Sequence, residues 1–163
     1  MKLHLLFITV LFISSATTQI YAVPACLGSQ TADIIVRAVA FGSSATVAVI
    51  GLGIGSLGTI AALGGALSHD SVDLAHFFGS IVSVPAMFVG SLATYSALLS
   101  VGIQNKPATQ VSAAIFGVSM LLNSLSHWIN LRKVSHPERN FCIGAGVFTG
   151  IAGLASLALC LRK

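Results

Sequence analysis

Residues 38–67 read AVAFGSSATVAVIGLGIGSLGTIAALGGAL, and the fold turns on what this run is. Its middle, Val47-Ala48-Val49-Ile50 followed by Gly51-Leu52-Gly53-Ile54-Gly55-Ser56-Leu57-Gly58, has the form of a strand entering a G-x-G-x-x-G dinucleotide turn. Asp70 and Asp73 stand near the distance of a ribose partner. That fold, however, needs alternating strands and helices with polar outer faces. Here the glycines run on into Thr59-Ile60-Ala61-Ala62-Leu63, and no Asp, Glu, Lys or Arg interrupts the stretch. At about 1.5 Å per residue, a helix of this length exceeds the ~30 Å hydrocarbon layer of a bilayer. The run therefore reads as a membrane-spanning helix, and nucleotide binding is set aside.

Three further stretches have the same character: 77–103, 108–131 and 141–161 are each without Asp, Glu, Lys or Arg. The chain is 55% hydrophobic and 7% charged, whereas soluble domains average about a quarter charged residues. Eight basic and four acidic side chains are too few to cover a water-soluble domain of 163 residues. The expectation is an all-α membrane protein, with four transmembrane helices in one domain (residues 23–163) after an N-terminal signal peptide. Lys2, Arg37, Lys106, Arg132, Lys133, Arg139, Arg162 and Lys163 lie between or beside the apolar stretches. They read as interfacial anchors and topology signals, so the lipid bilayer is the expected partner and nucleic acid is not.

The first 22 residues have the layout of a secretory leader: Lys2, an apolar run from Leu3 to Ile13, then a polar stretch ending at Ile20-Tyr21-Ala22. The apolar run is too short to span, and cleavage after Ala22 is the favoured reading over an uncleaved fifth helix. Val23-Pro24-Ala25-Cys26 is a weaker match to a lipoprotein processing site.

Local chemistry places the helix ends. Thr31 is a candidate N-cap, and Asp33 with Arg37 is an i,i+4 acid-to-base pair in the favourable order. Pro85 is expected to kink the second span by freeing the Ile81 carbonyl, with Ser80 and Ser83 nearby to satisfy it. Only Gln104-Asn105-Lys106-Pro107 separates the second and third spans, which demands a tight antiparallel hairpin. Ser135-His136-Pro137-Glu138 is a capping box that starts the fourth helix.

With four spans, the 68–76 and 131–140 loops fall on one side of the membrane. That side is cytoplasmic if the leader carries the N-terminus across. One loop holds Asp70 and Asp73 and the other Arg132, Lys133 and Arg139, an inter-loop charge set worth roughly 0–1 kcal/mol per exposed contact. Helices in lipid associate through small residues that let backbones approach. Gly51, Gly55, Gly58 and Ala62 form such a face on the first span, and Gly146 and Gly150 on the fourth; these two spans are expected to meet each other or a partner's helix.

Candidate chemistry is sparse. His69, Asp73 and His76, at i, i+4 and i+7, would lie within about 60° of one another on a helix, with His136 on the same side. The favoured reading is a hydrated loop. Cys142 and Cys160 are about 27 Å apart along one helix and cannot bridge, whereas Cys26 and Cys160 share a side. Asn123, Ser124, Ser126 and His127, beside Trp128, read as polar residues approaching headgroups, with an Asn123/His127 interhelical contact as the alternative.

No catalytic, cofactor-binding or metal-binding residues are assigned, and an enzyme is not expected: no buried carboxylate pair, Ser/His/Asp set or H-E-x-x-H is present. Carboxylate-driven transport lacks its residues for the same reason. The leading expectation is a non-catalytic structural or assembly subunit of a larger membrane complex, with a membrane-protein partner or a homo-oligomer. Alternatives are an oligomeric pore lined by Ser91, Thr94, Ser96 and Ser100, and a holin-like membrane-active protein. In outline, a leader ahead of a small Gly/Ala-rich membrane chain resembles pilin-like and accessory inner-membrane subunits of conjugation and type IV secretion systems. That likeness of architecture implies a secretion-related role at a bacterial inner membrane, the alternative being a eukaryotic endomembrane.

Overall fold

The computed structural model describes residues 29–68, 74–134 and 136–161. Among these the chain is four helices: α1 (Ser29–Leu67), α2 (Leu74–Ser100), α3 (Asn105–Asn130) and α4 (His136–Leu161). All four are long and apolar enough to cross a membrane. The expected leader at 1–22, Cys26, His69, Asp70, Ser71, Asp73, Ser135, Arg162 and Lys163 lie outside the described residues.

Helix boundaries depart from the expected spans where local chemistry acts. α1 begins at Ser29, so Thr31 lies inside its first turn and does not precede it. Nothing between Ser29 and Asp33 is a helix breaker, so the helix runs through Thr31. The Asp33–Arg37 pair forms at 2.9 Å on the exposed surface. α2 stops at Ser100, short of Ile103. Gly102 takes a left-handed conformation (φ 86°) that ends the helix. Its N–H donates to the Leu99 carbonyl at 3.0 Å, and the Ile103 N–H donates to the Leu98 carbonyl at 3.0 Å. This is the 5→2 and 6→1 pairing of a Schellman ending, and it satisfies carbonyls at the end of the helix. The chain turns at once into α3, where Pro107 sits in the first turn.

α1 packs along α2, α4 along α3, and the two hairpins join where α3 meets both α2 and α1. The first and fourth spans do not form the packed pair expected from their glycine faces; each closes on its neighbour in sequence. Loop length is the reason, because a connection of a few residues holds consecutive helices antiparallel and side by side before any other pairing can compete. The Lys133 ammonium donates to the Ser68 carbonyl, which puts the α1 and α3 C-terminal ends on the same side of the bundle.

The backbone approach is close at two glycine pairs. A Cβ on Gly51 would lie 2.8 Å from Gly90 Cα, and one on Gly79 would lie 2.6 Å from the Gly58 carbonyl oxygen. Gly55 is closed by Met87, whose side chain would stand 2.6 Å from a Cβ there. Gly117 and Gly153 do the same for α3 and α4: a Cβ on Gly153 would come within 2.9 Å of the Gly117 carbonyl oxygen. Gly53 and Gly64 instead face open space. Gly53→Ala and Gly64→Ala are therefore expected to be neutral or stabilising by up to about 1 kcal/mol, the helix-propensity difference alone. Reversible unfolding in mixed detergent micelles measures this; a loss at either position would mean that the chain's own helices cover it.

Polarity is arranged inside out relative to a water-soluble bundle. The buried residues include Ser83, Asn123, Ser126 and His127, while Val49, Leu57, Ile60, Phe148, Ile151 and Leu154 are exposed on the outer faces. α3, the least apolar of the four spans, is the helix that touches all three others. Polar side chains find partners there and lipid-compatible ones stay outside.

Candidate functional site

Two polar centres lie in the interior. The first is built on Asn123, which is fully buried. Its Nδ2 donates to Thr59 Oγ1 at 3.2 Å and to the Ser119 carbonyl at 3.1 Å. Its Oδ1 accepts from the Ser83 hydroxyl at 2.9 Å. Thr59 passes its own proton to the Gly55 carbonyl at 2.9 Å. One amide thus ties α1, α2 and α3 together. This corrects the headgroup reading: Asn123, Ser124, Ser126 and His127 are buried, whereas Leu125 and Trp128 face outward. Polar atoms set among apolar side chains on an outer face would lose hydrogen bonds, whereas α3's central place supplies partners for Asn123 and Ser124. Ser124 donates to the Gly146 carbonyl at 2.7 Å, and a Cβ on Gly150 would press to 3.0 Å from Ser124 Oγ. Gly146 and Gly150 therefore serve α3.

Pro85 is accommodated within a continuous α2. Ser83, expected to serve the carbonyl that proline frees, reaches Asn123 and the Ser80 carbonyl. The tertiary bond across helices decides where its hydroxyl goes.

The second centre lies at the end of the bundle that carries the α1 and α3 C-termini. His76 comes from the first turn of α2, His127 from the last turn of α3, and Cys142 from the second turn of α4. All three are buried, at 2%, 2% and 3% exposure. One donor atom from each falls within 4.8 Å of the others. The imidazoles meet edge to face, with centroids 5.0 Å apart. Phe141 closes the side, 5.9 Å from His127 and 5.3 Å from Phe77. His76 Nδ1 lies 3.0 Å from the Ala62 carbonyl. A carbonyl can only accept, so Nδ1 carries the proton and Nε2 presents a lone pair. His76 Nε2 and His127 Nδ1 are buried without a partner. The Asn130 amide points at Cys142 Sγ from 3.9 Å.

Of the residues considered for metal-type chemistry in the sequence, His76 is placed here. His69, Asp73 and the side chain of His136 lie outside what the structure describes. Chain spacing could not reveal His127 and Cys142, because the three donors belong to three helices. The spans thus do hold buried ionisable groups, as imidazoles and a thiol, although among the described residues none carries a buried carboxylate. The proposed pore-lining hydroxyls do not share a face: Ser96 and Ser100 turn roughly 140–180° from Ser91 about the helix axis. Thr94, Ser96 and Ser100 bond to carbonyls of their own helix, at Gly90, Leu92 and Ala97.

No protein family, curated protein or solved structure matches this chain.

Proposed function

We propose that the chain is an integral membrane protein and serves as a non-catalytic structural or assembly subunit of a larger membrane complex. The observation that carries this reading is the outward face of α1. Gly42, Gly53 and Gly64 recur every eleven residues, close to three helical turns, so they share one stripe. A Cβ added at any of the three meets nothing within 4 Å. Glycines on a lipid-facing helix lower helix propensity by about 1 kcal/mol each relative to alanine, a cost that close approach by another helix offsets. Exposed Val49, Leu57 and Ile60 flank the stripe and would pack around such a helix. The interior supports the same reading, because the Asn123 centre closes the three helices on one another.

Photo-crosslinking in native membranes tests it. A photoreactive residue at Gly53 is expected to give adducts with another polypeptide. The same residue at Gly55, which lies against Met87 of the chain itself, gives far fewer. An absence of adducts at Gly53, together with solute flux through liposomes holding the purified chain alone, would replace the assembly reading with the pore.

A further inference from the structure

We infer that His76, His127 and Cys142 form a binding site for one divalent transition-metal ion of borderline softness, with Zn²⁺ as the best fit. This goes beyond the assembly role and does not rest on it. The donor set is two imidazole nitrogens and one thiolate, which are zinc ligands, and three protein ligands leave a fourth position for water or an incoming group.

Three independent features point to an ion rather than to packing. First, the donors converge from α2, α3 and α4, with ligand atoms no more than 4.8 Å apart. Atoms bound at about 2.0–2.3 Å in tetrahedral geometry stand roughly 3.3–3.6 Å from one another, so side-chain rotations that draw them in by about an ångström close the set. Second, two ring nitrogens are buried and unpartnered, at His76 Nε2 and His127 Nδ1. Leaving such groups unsatisfied is costly in an apolar interior, and coordination removes that cost. Third, the surroundings are those of a tuned ligand shell. The Ala62 carbonyl holds the His76 Nδ1 proton, which aims the Nε2 lone pair inward. Asn130 turns an N–H toward the sulfur, the kind of outer hydrogen bond that a metal-bound thiolate accepts.

Binding balances simply. The metal ion displaces the Cys142 thiol proton, which leaves to water, and the two neutral imidazoles donate lone pairs without losing protons. The site lies only one or two turns from the N-terminal ends of α2 and α4 and the C-terminal end of α3.

The test uses the full chain without an affinity tag, purified in detergent under reducing, metal-free conditions. Titration with Co²⁺ is expected to saturate at about one ion per chain. The bound ion should show tetrahedral ligand-field absorption and a near-ultraviolet thiolate-to-cobalt band, and Zn²⁺ should displace it. Cys142→Ser, which nearly preserves side-chain size, should abolish the thiolate band, while Cys160→Ser and Cys26→Ser keep it. His76→Asn and His127→Asn should each weaken Co²⁺ binding at least tenfold. Helical circular dichroism and elution volume establish that each variant is folded. If His76→Asn misfolds, zinc-edge X-ray absorption on the unmodified chain still decides, with one sulfur and at least two imidazole nitrogens expected. A folded chain that binds no Co²⁺, a thiolate band that survives Cys142→Ser, or a zinc shell without sulfur would each overturn the site and leave the orphan nitrogens to an enclosed water.

Discussion

Gly90→Val is expected to separate α1 from α2 and to destabilise the bundle by about 1–3 kcal/mol or more, the range for forcing extra methyl groups into a packed interior. Two effects compete at this position. Valine is a better helix former than glycine by a few tenths of a kcal/mol, which alone would stabilise α2. Against that, a Cβ on Gly90 would lie 2.7 Å from the Leu52 backbone nitrogen and 2.9 Å from the Gly51 carbonyl carbon. Those are main-chain atoms of α1 and cannot rotate aside, so the helices must part, and the contacts below them at Gly58 and Gly79 loosen too. Unfolding in mixed micelles measures the loss, with Gly53→Val as the control for propensity. Gly90→Val as stable as the unmodified protein would mean that α1 and α2 do not approach as closely as described.

Asn123→Ala is expected to cost about 2–3 kcal/mol. Hydrogen bonds between membrane helices average about 0.6 kcal/mol each, and Asn123 makes two, to Thr59 and Ser83, besides one to Ser119 within α3; a small cavity adds about 1 kcal/mol. The partners recover partly: Ser83 can turn wholly to the Ser80 carbonyl, and Thr59 keeps Gly55. The informative measurement is therefore a double-mutant cycle with Ser83→Ala, in which an interaction energy of at least about 0.5 kcal/mol is expected. Strict additivity, or an Asn123→Ala protein of unchanged stability, would rule out the amide as the joint between the hairpins.

The contrast between Gly51 and Gly53 shows what a sequence can and cannot assign. Both belong to one glycine run, but only Gly51 falls on the face that carries Gly55, Gly58 and Ala62. The periodicity that puts Gly51, Gly55, Gly58 and Ala62 on one face was legible, because it depends only on 3.6 residues per turn. Which helix that face meets was not legible. Gly79 and Gly90 of α2 were available as a signal, since they too are eleven residues apart. They carry no mark naming α1 as their partner, and the short α1–α2 connection decides the pairing. The same holds for Gly117 with Gly153.

The histidines show the limit in chemical terms. His76 drew notice through near neighbours in sequence, whereas its companions in the structure lie 51 and 66 positions away, at His127 and Cys142. Donor groups on separate helices acquire a common site only when tertiary packing sets helix order, rotation and depth. By itself the sequence determined four long apolar helices, because each uncharged run of twenty or more residues is long enough, as a helix, to cross a hydrocarbon layer. The tertiary structure alone decided which glycine faces touch, that Asn123 points inward, and that two imidazoles and a thiol converge. Those outcomes depend on distances between segments that no local pattern encodes.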